Sequence, residues 1–167
     1  MSETALKGNT VNIIGCMPAI GSEAPAFSLV KRDLGELSLE ELTGKKVVLN
    51  IFPSLDTGVC ATSVRRFNKE ATGIENTVVL AISKDLPFAH ERFCTTEGIE
   101  NVIALSAFRN NLFGEEYGVI MASGPLKGLF ARAVILIDEL GKVAYSELVP
   151  EITQEPDYDA VMKVVNG

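Results

Sequence analysis

The sequence predicts an α/β protein with a mixed central sheet and helices packed on both of its faces. Apolar and β-branched runs typical of buried strands alternate with segments that begin with helix-capping residues. The predicted order of elements is ββ, β, α, β, α, β, ββ, α, and the strand–helix–strand unit within residues 46–83 requires a parallel pair with a right-handed crossover. With 167 residues, 47% of them hydrophobic, we expect one soluble domain spanning residues 1–167.

The charge balance argues against several classes of partner. The chain has 22 acidic and 15 basic residues, which gives a net charge of −7. That surplus disfavours binding to nucleic acid or to an anionic membrane surface. No apolar run approaches the length of a membrane span, and residues 1–7 lack the basic and apolar regions of a secretory signal. We therefore expect a cytoplasmic protein.

The amino-terminal third contains a hairpin, a short strand and one helical turn before the first long buried strand. Gly8-Asn9 is a two-residue turn signal between two short runs in residues 3–16. A short strand is predicted over residues 26–30, and a capped helical turn ending at glycine over residues 38–44. Residues 46–52 are mostly apolar and β-branched, which is typical of a central strand buried on both faces.

The rest of the chain alternates strands and helices. A helix follows the central strand and ends near Gly73, and Pro87 suits the first turn of a second helix that reaches about Thr96. The remaining predicted elements are strands over residues 77–83, 102–106, 129–138 and 142–148, and helices over residues 110–117 and 156–165.

Cys60 lies where open α/β sheets place their chemistry. Pro53 ends the central strand because it has no amide hydrogen for the ladder, and Asp56 and Thr57 are both good helix N-cap residues. We therefore expect Cys60 in the first turn of a helix, just past the carboxyl end of a buried strand. Helix N-terminal amides and the macrodipole favour a thiolate, the nucleophilic form of cysteine. From position alone, a small buried structural cysteine is an equally good interpretation.

The pattern Pro-x-x-x-Thr-x-x-Cys ending at Cys60 resembles the active-site signature of the peroxiredoxins. Residues 53–68 as a whole are similar to the thiol peroxidase subfamily, which is of the atypical two-cysteine type. The similarity extends in order and spacing to the amino-terminal hairpin, to residues 85–94 and to residues 128–133, so it covers nearly the whole chain. It implies a thioredoxin-like fold of the peroxiredoxin type with an added amino-terminal β-hairpin.

Arg132 interrupts a run that otherwise predicts a buried strand. A buried guanidinium without a partner would cost several kcal/mol, so Arg132 either reaches solvent at a strand end or faces an anion. In the family that this sequence resembles, an arginine from a strand meets the peroxidatic cysteine, and Arg132 matches that position. Arg65 and Arg66, one turn past Cys60, are rivals that spacing alone does not exclude. We favour Arg132.

The resemblance also implies a mechanism. Cys60, as the peroxidatic thiolate, attacks hydrogen peroxide or an organic (alkyl or lipid) hydroperoxide and becomes a sulfenic acid. Arg132, the Thr57 hydroxyl and the helix amides donate hydrogen bonds to the peroxide oxygens, and Pro53 screens the sulfur from water. Cys94 is the resolving residue, which forms an intrasubunit disulfide with Cys60.

Thioredoxin, or a similar dithiol protein, is the reductant that the resemblance implies, with a homodimer as the expected assembly. No cofactor and no metal are expected. Cys60 and Cys94 are predicted on separate helices, whereas a disulfide needs Cα atoms within about 7 Å, so we expect one or both helix ends to unwind during turnover. A redox sensor that oxidises a client, and a thioredoxin-like scaffold with incidental cysteines, are the alternative functions.

Several residues have two interpretations at this level. His90 lies one turn before Cys94, yet a solvated helix histidine is the favoured interpretation. Cys16 is expected to be a small packed residue with no catalytic part. Apolar side chains near Arg132 could line a groove for organic hydroperoxides or belong to the core, and these are Met121, Leu129 and Phe130.

Overall fold

Strands and helices alternate along the chain in the computed structural model, which describes residues 2–71 and 73–167. The helices of these residues are α1 (Gly58–Glu70), α2 (Pro87–Glu97), α3 (Phe113–Glu116) and α4 (Tyr158–Asn166), and Leu39–Leu42 forms a 3₁₀ turn. The strands are β1 (Glu3–Leu6), β2 (Asn9–Ile14), β3 (Ser28–Lys31), β4 (Glu36–Ser38), β5 (Lys46–Ile51), β6 (Thr77–Ser83), β7 (Val102–Ser106), β8 (Ile120–Met121), β9 (Ala133–Ile137) and β10 (Val143–Leu148).

The central sheet has seven strands in the order β10-β9-β5-β6-β7-β3-β4. Strands β5, β6 and β7 run parallel, and α1 and α2 lie in the two connections between them. The other neighbours in the sheet pair antiparallel. Strands β1, β2 and β8 form a second, three-stranded sheet. The mixed central sheet and the amino-terminal hairpin confirm the predicted fold class.

The central strand β5 is buried on both faces because its side chains alternate between two hydrophobic clusters. Val47, Leu49 and Ile51 belong to one cluster, which also contains aromatic side chains from α3 and its flanks. Val48 belongs to the opposite cluster, which we call the helix-side cluster because α1, α2 and α4 pack there. Its buried members from these helices are Cys60, Val64, Phe67, Cys94, Tyr158, Val161, Met162 and Val165.

The turn of the amino-terminal hairpin lies one residue earlier than predicted. Leu6 pairs with Asn9, so Lys7 and Gly8 are the two turn residues and the prediction of a Gly8-Asn9 turn was wrong. Lys7 and Gly8 both have positive φ angles, 51° and 82°, as a tight type I′ connection requires. The register is set by alternation along β2, where Val11 is buried and its neighbours are exposed.

Other element boundaries also differ from the predictions. The strand expected from residue 129 begins at Ala133, because the residues before it pair with the β8 region, where Phe130 bridges Ile120. Helix α1 ends at Glu70 rather than near Gly73. Strands β4 and β8 were not predicted, since edge strands of three and two residues carry little sequence pattern. Within the described ranges, no helix is long and apolar enough to cross a membrane.

Candidate active site

Cys60 lies in the first turn of α1, as predicted, and its side chain is fully buried. Thr57 is the helix N-cap: its hydroxyl oxygen accepts a hydrogen bond from the Cys60 amide at 3.3 Å. The same hydroxyl donates to the Ser54 carbonyl at 3.2 Å. Thr57 therefore orders the start of the helix, and in this conformation its single proton is directed at a carbonyl rather than at the sulfur.

The loop between β5 and α1 is hydrogen-bonded to the carboxylate of Asp85, which lies outside the loop. Pro53 and Leu55 are buried in this loop. Asp85 accepts hydrogen bonds from the Leu55 amide and from the Ser54 hydroxyl, both at 2.8 Å. The polypeptide that precedes Cys60 is thus tied to the end of β6, the neighbouring strand of the sheet.

Arg132 is buried against the Cys60 sulfur. Its side chain is 1% exposed; Nη2 donates to Cys60 Sγ at 3.2 Å, and Nε donates to the Ile152 carbonyl at 2.9 Å. Pairing explains this placement, because Ala133, the first residue of β9, lies opposite Ile51 at the end of β5. Nη1 is buried without a hydrogen-bond partner among the described residues. Burial excludes the interpretation in which Arg132 reaches solvent.

The two rival arginines bind surface carboxylates. Arg65 Nη2 lies 2.6 Å from Glu97, and Arg66 Nε lies 2.8 Å from Glu70, one turn along the same helix. Their side chains remain 46% and 42% exposed, so neither guanidinium is the cation at the buried sulfur.

Cys94 is buried near the end of α2, in the same helix-side cluster as Cys60, and both are free thiols. The Cys94 carbonyl accepts hydrogen bonds from the Gly98 and Ile99 amides, where the helix ends at a left-handed glycine. Burial raises the pKa of the Cys94 thiol, and the nearby Arg32 guanidinium opposes this effect. Opening of this helix end would therefore favour the reactive thiolate of Cys94.

His90 is buried, so the expectation of a solvated histidine was wrong. It is 1% exposed, and Nε2 lies 3.0 Å from the Ser83 hydroxyl oxygen, while Nδ1 has no hydrogen-bond partner among the described residues. Burial lowers the pKa of His90 to about 4, although the Asp85 carboxylate acts in the opposite direction. The imidazole is therefore neutral near pH 7. Helical spacing did not reveal this, because burial depends on what packs against α2.

The expectation that Cys16 is packed was wrong, and Met121 and Phe130 are core residues. Cys16 is exposed rather than packed. Met121 and Phe130 are each 1% exposed and belong to hydrophobic clusters, so they are core residues and not the lining of an open groove. Leu129 is half-buried. No group of side chains suited to a metal ion occurs in residues 2–71 and 73–167.

Sequence reasoning missed two charged residues near the cysteines. Arg32 follows β3, and its Nε donates to Glu91 on α2 at 2.8 Å, beside Cys94. Only the tertiary structure brings Arg32, in the turn after β3, next to α2. Asp85 binds the Ser54 hydroxyl and the Leu55 amide, 31 and 30 residues earlier in the chain, and no local pattern indicates that contact.

Known proteins resemble this chain over its whole length. The Redoxin family matches residues 19–162. A thiol peroxidase from Corynebacterium glutamicum is 56% identical over 166 residues, which cover 99% of this chain and 100% of that relative. A thiol peroxidase from Mycobacterium bovis is 56% identical over 167 residues, 100% of both chains. The crystal structure of a peroxiredoxin-like protein from Aquifex aeolicus has a TM-score of 0.95 at 44% identity, covering 99% of this chain and 96% of that one. The chain therefore belongs to the Redoxin family, in the thiol peroxidase subfamily of the peroxiredoxins.

Proposed function

We propose that this thiol-dependent peroxidase uses Cys60 as its peroxidatic residue and Cys94 as its resolving residue. The observation that carries the proposal is the buried contact of 3.2 Å between Arg132 Nη2 and Cys60 Sγ. A buried guanidinium within hydrogen-bond distance of the sulfur is a fixed donor at the place where charge moves from sulfur to the peroxide oxygens. The free Nη1 of the same guanidinium is available to a second ligand atom.

In the first step, the Cys60 thiolate attacks one oxygen of a hydroperoxide, the O–O bond breaks, and water or an alcohol leaves after taking up a proton. The sulfur is oxidised to a sulfenic acid and the peroxide is reduced by two electrons. Negative charge moves from sulfur to the peroxide oxygens. Arg132 Nη1 and Nη2 stabilise that charge, as fixed donors do at an oxyanion. Thr57 keeps the helix amides in place and would donate to the peroxide only after its hydroxyl leaves Ser54.

In the second step, the Cys94 thiol attacks the sulfenic acid, and the two sulfur atoms form a disulfide with release of water. Both cysteines are buried within separate helices, and a disulfide needs Cα atoms within about 7 Å, so we expect one or both helix ends to open before this step. A thioredoxin-type dithiol then supplies two electrons and two protons and regenerates both thiols. No additional redox group takes part in this scheme.

Hydrogen peroxide and organic hydroperoxides are the proposed substrates. Met121 and Phe130 lie in the core, so a route for larger hydroperoxides must come from other side chains. Thioredoxin as the specific reductant, a homodimer and a cytoplasmic location remain predictions from the sequence.

The test is a single-turnover reaction with hydrogen peroxide, read by intact-protein and peptide mass spectrometry. We expect the reduced protein to lose two hydrogens and to give a Cys60–Cys94 crosslink. Cys94→Ser should instead accumulate sulfenic acid or higher oxides on Cys60. Cys16→Ser is the matched control and should behave as wild type, because Cys16 is exposed and lies outside the helix-side cluster.

Two outcomes would contradict the proposal. A crosslink that contains Cys16 would move the resolving role to that residue. Absence of oxidation in excess peroxide, with the protein folded and its thiols reduced, would overturn the assignment of Cys60.

A further inference from the structure

The Asp85 carboxylate binds the loop before Cys60 and, through one serine, the helix that carries Cys94. Its Oδ2 accepts from the Leu55 amide and its Oδ1 from the Ser54 hydroxyl, both at 2.8 Å. On the other side, the Ser83 hydroxyl donates to Oδ2 at 2.6 Å.

His90 extends this chain of hydrogen bonds into α2. The Ser83 hydroxyl gives its one proton to Asp85, so the contact of 3.0 Å with His90 Nε2 is best satisfied when the imidazole nitrogen is the donor. Ser83 is fully buried and His90 is 1% exposed, so water does not replace these bonds while the helix is closed. One continuous polar network therefore joins the loop before α1 to α2.

We propose that Asp85 is a positioning residue that keeps the Cys60 loop and the Cys94 helix closed together and releases them together. This rests on the proposed function, in which Cys60 and Cys94 must meet.

The position of Asp85 suits this role because its own backbone is anchored to the sheet. The Ser106 hydroxyl, at the end of β7, donates to the Asp85 carbonyl at 2.5 Å, and the Ala107 amide donates to the Ser83 carbonyl at 2.9 Å. The carboxylate is thus presented from a fixed strand end, while the two segments that bind it are the ones that have to move.

The network also supplies cooperativity. Several hydrogen bonds converge on a single charged acceptor, and a partly satisfied buried network is less favourable than one that is fully formed. Loss of the hydrogen bonds from Ser54 and Leu55 to Asp85 therefore weakens the hydrogen bonds that reach His90 through Ser83. Loss of the bonds to His90 weakens those of the loop in the same way. Coupled release would present Cys94 to the sulfenic acid when the Cys60 loop opens, rather than leaving either group exposed by itself.

A surface ion pair joins the same two segments and provides a matched control. Arg92 on α2 lies 3.1 Å from Asp56 in the loop, but the two side chains are 64% and 72% exposed. Solvent screens such a pair, so its contribution is small. Asp56→Asn is the same chemical change as Asp85→Asn, between the same two segments, but at an exposed carboxylate instead of a half-buried one.

The experiment measures both chemical steps in the full-length chain with hydrogen peroxide, by rapid quenching and mass spectrometry. Sulfenic acid formation on Cys60 reports the first step, and appearance of the Cys60–Cys94 crosslink reports the second. The Asp85→Asn amide keeps one acceptor oxygen but places an NH₂ group against a donor. We expect slower sulfenic acid formation and faster crosslinking, with the ratio of the crosslinking rate to the sulfenic acid rate rising about tenfold, since about one charge-assisted hydrogen bond is lost from the closed form. Asp56→Asn should change either rate by less than about twofold.

Opposite shifts in the two rates are the signature, because general structural damage would not accelerate one step while slowing the other. Equal slowing of both steps, or rates matching those of Asp56→Asn, would overturn the proposal. Asp85→Glu retains the carboxylate and should recover part of both effects.

If Asp85→Asn does not fold, the two sides of the network are cut separately. Ser54→Ala removes the hydrogen bond from the loop before Cys60 to Asp85, and Ser83→Ala removes the link from Asp85 to His90 on α2. The variant with both substitutions completes a double-mutant cycle. If the rate change of the double variant differs by more than about threefold from the product of the two single changes, the proposal is supported, and a simple product would overturn it. Failure of the proposed function is visible separately: if Cys94→Ser still forms the wild-type product, the assignment of Cys94 is wrong and both proposals fall.

Discussion

Acidification should destabilise this protein through His90, its only histidine. The side chain is 1% exposed, its Nε2 contacts the Ser83 hydroxyl, and its buried Nδ1 has no partner among the described residues. Burial lowers the pKa of His90 from 6.5 to about 4; the Asp85 carboxylate opposes this shift and the Arg32 guanidinium adds to it. The perturbation is a change from pH 7.5 to pH 5.0.

The sign follows from proton linkage. A histidine whose pKa is lower in the folded state binds fewer protons when folded, so the free energy of unfolding falls as pH drops below 6.5 and continues to fall until about pH 4. Between pH 7.5 and pH 5.0, these two pKa values give a loss of about 2 kcal/mol from this residue alone. That is a large share of the stability of a typical domain.

The assay is urea unfolding of the reduced protein at both pH values, for wild type and for His90→Gln. Carboxylates titrate in both proteins, so their contribution cancels in the difference between the two pH-dependent losses. We expect the variant to lose about 2 kcal/mol less than wild type. Equal losses in the two proteins would refute the reasoning. So would an NMR titration in which the single imidazole of the folded protein ionises with a midpoint near 6.5.

Two further predictions concern Arg132 and Gly118. Arg132→Gln should slow sulfenic acid formation about 10²- to 10³-fold in a pre-steady-state reaction with hydrogen peroxide, because the donors at the buried sulfur are lost; a change of less than about threefold would contradict the assigned role. Gly118→Ala should lower the free energy of unfolding by more than about 3 kcal/mol in urea, since its φ is +62° and a Cβ there would overlap the backbone carbonyl group of Cys16. Gly141→Ala is its control, with φ +79° and open space, and should cost only about 1–2 kcal/mol.

The parallel strands at the centre of the sheet were predicted closely. Residues 77–83 and 102–106 were expected to be strands and are β6 and β7, and the central strand differs by one residue at its end. A strand buried on both faces leaves a nearly continuous apolar run, and such a run is visible without knowledge of its neighbours. Cys60 was placed correctly for a similar reason, because an N-cap residue and the strand before it are local signals.

Features that depend on pairing were predicted less well. The hairpin turn at Lys7-Gly8, the start of β9 at Ala133 and the short strands β4 and β8 are set by which segment lies opposite, and their own residues say little about that. The burial of His90 and the exposure of Cys16 also depend on which segments pack against them. Helical periodicity shows which residues share a face, but it does not show what packs against that face.

By itself, the sequence determined the fold class and the place of Cys60 at the start of a helix, because capping, strand termination and apolar runs act over a few residues. Arg132 was favoured over Arg65 and Arg66 through the resemblance to the family, since spacing alone left all three open. Only the tertiary structure placed the Arg132 guanidinium 3.2 Å from the sulfur and joined the Cys60 loop to the Cys94 helix through Asp85. The Arg132–Cys60 and Leu55–Asp85 contacts link residues 72 and 30 positions apart in the chain, and the pairing of strands brings them together.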